Sequence, residues 1–199
     1  MCTEGRLTGR LSGPAAPAAQ RRFVRRLRSY PLGAHIRAFD TADATSVSSL
    51  ISTTLRISNV TDYPEEFLSK VEASLTPPSL HELAKERVIF VAVEGKAIVG
   101  TASLGRDQVH AVFVHPARQG RGIGRRLMEA VESEAQARGE RGLILYASVS
   151  AVPFYEANGW RTVREHRDGD ARLVVMMKPL GERRTRPGNE AGGADTAVY

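Results

Sequence analysis

The chain has 199 residues, 42% of them hydrophobic, which is enough for one domain with a buried core. It has one cysteine (Cys2), five histidines without ligand spacing and no apolar run of membrane-span length, so a cytoplasmic protein without metal is expected. The formal net charge of +6 comes from residues 1–33, with seven Arg and one Glu; residues 34–180 hold 18 basic and 18 acidic side chains, and no nucleic-acid partner is expected.

In chain order, residues 1–33 form an arm rich in Arg, Ala and Pro. It reads as a mobile basic segment, a transit-like segment or a short amphipathic helix. The narrow apolar strip of Phe23, Val24 and Leu27 favours the first. A domain over 34–180 follows, and 181–199 reads as a flexible tail. Within the domain His35–Phe39 alternates as a strand. Asp40 and Thr41 open a helix through Val47, Leu50, Ile51 and Leu55. After a break at Asn59–Pro64, a second helix carries Phe67, Leu68, Val71 and Leu75. Pro77-Pro78 is expected to stop it, with Ser79-x-x-Glu82 as a capping box for a short third helix. Two hairpins then place strands at Arg87–Val93, Ala97–Leu104 and Val109–Val114.

The next segment, His115–Glu132, is HPARQGRGIGRRLMEAVE. Pro116 breaks the strand, Gly120, Gly122 and Gly124 alternate, and Leu127, Met128 and Val131 give the helix an apolar face. A helix start has N–H groups without intrahelical partners and the positive end of the dipole, so it suits a phosphate. A P-loop is excluded because Arg125 and Arg126, not Lys and Ser or Thr, follow the last glycine. A dinucleotide fingerprint is excluded because the spacing is G-x-G-x-G, with no acidic strand end about 20 residues on. Further on come a strand at Leu143–Ala147 and a helix capped by Ser150, carrying Val152, Phe154 and Tyr155 and ended by Asn158-Gly159. Strands at Arg161–His166 and Arg172–Lys178 are joined by Asp168-Gly169.

Gln119-x-x-Gly122-x-Gly124 after the strand VHAVFV resembles the acetyl-CoA-binding motif of the GNAT acyltransferase family. Phe154-Tyr155-Glu156-x-x-Gly159-Trp160 resembles that family's second signature, and the likeness covers about residues 35–180. It implies an α+β (mixed α/β) fold with a central, mostly antiparallel mixed sheet of about seven strands flanked by helices. It implies an N-acetyltransferase that uses acetyl-CoA as donor, with direct attack by an amine and no acyl-enzyme. The backbone of Gln119, Gly120, Arg121, Gly122, Ile123 and Gly124 would hold the pyrophosphate. Phe113 and Val114 would pair with the pantetheine arm, and an N–H near Val114 would polarise the thioester. Arg118, Arg121 and Arg125 are candidates for CoA phosphates, and Ser150 stands where many relatives carry an Asn that contacts pantetheine. Tyr155 would protonate the CoA thiolate, although an aromatic pair on a helix also serves a core.

The family's base position falls on Gln108, which cannot act as one. His110 is the candidate base, with a relay from Asp107 or loss of the proton to solvent as alternatives. Substrate selection falls to Ser58–Tyr63 and Glu165–Asp170. Asp62 and Tyr63 either hold an ammonium group or form a helix entry, with Asp62 capping and Pro64 in the first turn. The acceptor is a small-molecule or peptide amine of open identity, and a homodimer through strand edges is also open. The alternative function is a catalytically silent acyl-CoA-binding module.

Overall fold

Strand β2 (Val88–Glu94) sets the layering, because its sequence VIFVAVE has no polar alternation. Val88, Phe90 and Ala92 enter one core, and Ile89, Val91 and Val93 enter a second. A strand covered on both faces reads as a continuous apolar run. The computed structural model describes residues 33–181. The basic arm and the tail, apart from Gly33 and Gly181, lie outside the described residues.

The remaining strands are β1 (His35–Ala38), β3 (Ala97–Leu104), β4 (Val109–Val114), β5 (Gly142–Ser148), β6 (Arg161–Asp168) and β7 (Ala171–Pro179). The helices are α1 (Ala44–Ser58), α2 (Glu65–Ser74), α3 (Pro77–Glu86), α4 (Ile123–Ala137) and α5 (Val152–Ala157). The fold is α+β, as the sequence implies. Its seven strands divide into an antiparallel sheet β1-β2-β3-β4 and an antiparallel sheet β5-β7-β6. The parallel component reduces to one bridge, Gln108 with Ile144. Helix α4 covers one face of the first sheet, and α1 to α3 cover the other.

Three local expectations change. Pro77 and Pro78 do not stop α2; they occupy the first turn of α3, where a missing N–H is harmless and the fixed φ suits a helix. The cap of α3 is Thr76, whose hydroxyl accepts from the Ser79 N–H, so no Ser79–Glu82 box forms. Ser150 caps no helix: it sits in a 3-10 turn at Val149–Ala151, and the residue preceding that turn is Ser148. The opening of α1 is close to expectation, with a reciprocal Asp40–Asp43 capping box before it.

Strand β4 contains a bulge. Thr101 faces Phe113 and Ser103 faces His110, which leaves one residue extra on β4. The extra residue turns the strand over: Val109 and Val112 pack towards α4, and Ala111 and Phe113 pack towards α1. Ala111 adopts φ 50°, the left-handed region that L side chains avoid. The Ser103 hydroxyl donates to the His110 carbonyl at 3.2 Å and so satisfies the interrupted ladder. Gly100 permits the close approach of α4, since a Cβ there would lie 3.0 Å from Leu127 Cδ1.

Ala111→Val should lower the unfolding free energy by about 1–2 kcal/mol, because a β-branched side chain tolerates positive φ poorly. Ala111→Gly should stay near the parent. Urea unfolding followed by circular dichroism checks both, and equal stability of the Val variant would contradict the strained bulge.

Candidate active site

Beyond the Gln108–Ile144 bridge, where the Ile144 N–H donates to the Asp107 carbonyl at 3.0 Å, β4 and β5 separate. The outer edge of β4 from Val112 to Val114 therefore borders a groove of about 510 Å³. The glycine loop and the start of α4 form its far end, and Ser148–Ala151, Phe154 and Tyr155 form its other wall. A second hollow of about 270 Å³ lies on the other side of the junction. The two share Asn59, Val112, Phe113, Ser148, Ala151 and Tyr155, so they meet at Tyr155.

The three glycines do different work. Gly120 (φ 73°) and Gly122 (φ 74°) are left-handed, and a Cβ on either would meet nothing within 4 Å. They turn the backbone and leave the groove end bare. Gly124 is inside the helix, where a Cβ would come 3.1 Å from the Phe154 ring, so it brings α4 and α5 together. Gly122 is the N-cap of α4 and supplies no side-chain cap. The first N–H groups of a 15-residue helix are thus available to an anion at the groove end.

Phe113, Val114, Arg118, Gln119, Gly120, Gly122, Ile123, Gly124, Arg125 and Ser150 all border this groove, together with Tyr155. Arg121 does not; it extends to Glu94 at 3.9 Å. Arg118 Nε meets the same Glu94 at 2.5 Å, and Arg125 pairs with Glu129 at 3.0 Å one turn on. The Arg125–Glu129 pair is exposed and weak, whereas Arg118 and Glu94 are half-buried. Gln119 Nε2 donates to the Val114 carbonyl at 3.1 Å and to Ser58 Oγ at 3.2 Å, joining the loop to β4 and to the end of α1.

Tyr155 is 6% exposed and is held edge-on by Phe154, at 5.0 Å between ring centroids, and by Trp160, at 6.0 Å. Burial pushes its phenol above the ordinary value, so it stays protonated. The Trp160 indole N–H that supports it is buried without a partner among the described residues, a cost of keeping the ring there. The carboxyl end of α5 is fixed by Lys178, which donates to the Asn158 carbonyl at 2.7 Å and pairs with Glu132 of α4 at 2.7 Å. One half-buried cation thereby ties α5, α4 and β7 together.

His110 and Tyr63 border the second hollow. Burial, and secondarily Arg87, push His110 down to about 4, so it is neutral near pH 7 and a weaker base than its residue type suggests. Tyr63 is pushed upward, chiefly by burial, with Asp62 adding to the shift and a hydrogen bond with Ser148 opposing it. Asp62 borders neither hollow. Its carboxylate accepts from the Ser150 N–H at 3.3 Å and the Ser150 hydroxyl at 2.5 Å. The helix that follows has Pro64 as its N-cap, so the expected capping by Asp62 does not occur. Its carboxylate holds the turn after β5 through Ser150.

Sequence reasoning missed Thr54 and Ser58 as walls of the groove. The signal was present: both share the face of α1 that carries Leu50, Ile51 and Leu55, where a polar residue is unexpected. The Ala111 bulge left no signal, because nothing but the pairing with β3 requires it. No cluster of three or more His, Cys, Asp or Glu suited to a metal occurs among the described residues, and no helix there is long and apolar enough to cross a membrane.

Residues 59–180 match the family described as an acetyltransferase (GNAT) domain. The sequence is 30% identical to the uncharacterized N-acetyltransferase YjcF of Bacillus subtilis (strain 168) over 120 residues, 57% of this chain and 86% of that protein. It is 34% identical to an IAA acetyltransferase of Azospirillum brasilense over 91 residues, 41% of this chain and 60% of that protein. A GCN5-related N-acetyltransferase structure from Rhodopseudomonas palustris superposes with a TM-score of 0.68 at 24% identity, over 76% of this chain and all (100%) of that one. The PaiA N-acetyltransferase of Thermoplasma acidophilum, solved with coenzyme A, gives a TM-score of 0.64 at 16% identity, over 74% of this chain and 99% of that one. These two structural likenesses establish the fold.

Asp62→Ala should lower the unfolding free energy by about 1–2 kcal/mol and speed amide exchange at Ser150, measured by chemical denaturation and hydrogen exchange. His110 binds a proton less readily folded than unfolded, so its contribution is complete above its unfolded pKa of about 6.5. That contribution is lost as pH falls towards its folded value of about 4. His110→Gln should therefore flatten the fall in urea midpoint over this window, and an unchanged slope would contradict the assignment.

Proposed function

Because the chain belongs to the GNAT acetyltransferase family, we propose that it moves an acetyl group from acetyl-CoA directly to the nitrogen of an amine. The observation that carries this reading is the meeting of two hollows at Tyr155, one ending in a bare helix N-terminus and the other lacking any phosphate-binding feature.

In this reading the N–H groups from Gln119 to Gly124 bind the pyrophosphate. Arg118, Arg121 and Arg125 exchange their carboxylate partners for CoA phosphates. The free edge of β4 at Phe113 and Val114 pairs with the pantetheine arm, as an added strand would. The turn at Ser150 lies alongside that arm, and its clamp to Asp62 keeps the groove at one width. An N–H near Val114 stabilises the oxyanion when the amine nitrogen bonds to the acetyl carbon. As the carbon–sulfur bond breaks, the Tyr155 hydroxyl donates to the departing thiolate. Its raised pKa keeps the hydroxyl protonated but makes it a weak acid, so it stabilises the thiolate as a hydrogen-bond donor, and the proton released by the amine neutralises the sulfur. His110 relays a proton weakly from the second hollow, which supports a reaction that does not depend on a strong protein base.

Tyr155→Phe should lower kcat by about 10²-fold while the KM for acetyl-CoA changes little. In the parent, Tyr155 should cause no alkaline loss of activity below about pH 10, since burial raises it above its ordinary value. Release of free CoA thiol with an amine panel is the assay. Saturable CoA binding with no release for any amine would instead identify a silent acyl-CoA-binding module.

A further inference from the structure

The second hollow restricts what can be acetylated. Its walls are aromatic in large part, from Tyr63, Phe67, Phe113, Tyr146 and Tyr155, with Val71 and Leu173 filling between them. No Asp, Glu, Lys or Arg lines it among the described residues. Of the charged groups around it, Asp62 stands outside the lining, behind Tyr63, with its carboxylate accepting from Ser150, and Lys70, between Phe67 and Val71 on α2, pairs with Asp168 of the β6–β7 hairpin at 2.7 Å. Asn59, Gln108 and Ser148 supply neutral hydrogen-bonding groups close to the junction with the donor groove.

An ammonium set against this wall gives up part of its hydration and meets no opposite charge in the lining, which disfavours it against the neutral amine. The uncharged amine loses little and is also the nucleophilic form. The hollow, of about 270 Å³ and open to solvent on one side, has room for one ring with a short arm against its aromatic wall.

We infer that the acceptor is a small primary amine carried on an uncharged, ring-sized apolar body, that it reacts as the free base, and that polycationic amines are excluded. This rests on the acetyltransferase reading above and names the acceptor class for that site. Desolvation within the hollow takes the place of a carboxylate base, and the position of Tyr155 at its inner end leaves the reacting nitrogen beside the thioester.

The test uses the purified full chain, acetyl-CoA and thiol release with 2-phenylethylamine, aniline and spermidine. On the order of 10²-fold higher kcat/KM for 2-phenylethylamine than for spermidine is expected, from the cost of a partly desolvated charge that meets no opposite charge in the lining. The acid limb of kcat/KM should follow each amine's own pKa, lying far lower for aniline than for 2-phenylethylamine. Tyr63 and Tyr155, raised by burial, and His110, lowered to about 4, do not titrate between these limbs. His166, which meets Tyr146 edge-on at 5.2 Å, is controlled by His166→Gln. Val71→Glu, on a half-buried helix position, should raise spermidine turnover relative to 2-phenylethylamine. Preference for spermidine, one fixed limb for both aromatic amines, or an unchanged ratio in Val71→Glu would each overturn the inference. Absence of release with every amine despite CoA binding would overturn the acetyltransferase reading itself.

Discussion

The separation of β4 from β5 is the constraint on which the other features depend. Two antiparallel sheets share one bridge, Gln108 with Ile144, and then diverge. A strand edge exposed in this way leaves N–H and C=O groups without ladder partners, which proteins usually cover. Here the bulge at Ala111 redirects part of that edge, and Gln119 occupies the Val114 carbonyl. What is left borders the groove.

An open seam between sheets has to be stabilised by contacts across it. Gly124 lets Phe154 lie against α4, Lys178 joins Glu132 to the end of α5, and Asp62 holds Ser150. These three contacts fix Tyr155 and the turn before it relative to the glycine loop. Lys178 and Glu132 are both less than a quarter exposed, at 22% and 17%, so their pair is less screened than the surface pairs on α4.

Electrostatics divide along the same junction. The groove end gathers backbone N–H groups with Arg118 and Arg125, and Glu94 pairs with Arg118 there and with Arg121 outside it. The second hollow is lined without charge. Tyr155 stands on the boundary, in surroundings apolar enough to keep its hydroxyl protonated. The domain's balanced net charge, with 18 basic and 18 acidic side chains over residues 34–180, means that selection is local.

The parts legible in the sequence were those set by neighbouring residues. Strands β3 and β4, the hairpin turns, the helix after the glycines and the family motif all follow from short-range pattern, glycine chemistry and the orphan N–H groups of a helix start. Pro77 and Pro78 were misjudged because proline both ends one helix and begins the next, and the choice depended on Thr76 being free to cap. Asp62 was illegible in principle, since its partner Ser150 is 88 residues away. The sequence by itself thus determined the family and the bare glycine loop that opens α4 with unpartnered N–H groups. Tertiary structure alone decided how the carboxylates pair, how β4 turns over at Ala111, and that no Asp, Glu, Lys or Arg among the described residues lines the second hollow. Those properties arise from contacts between segments distant in the chain, where pairing and burial rather than residue type set the chemistry.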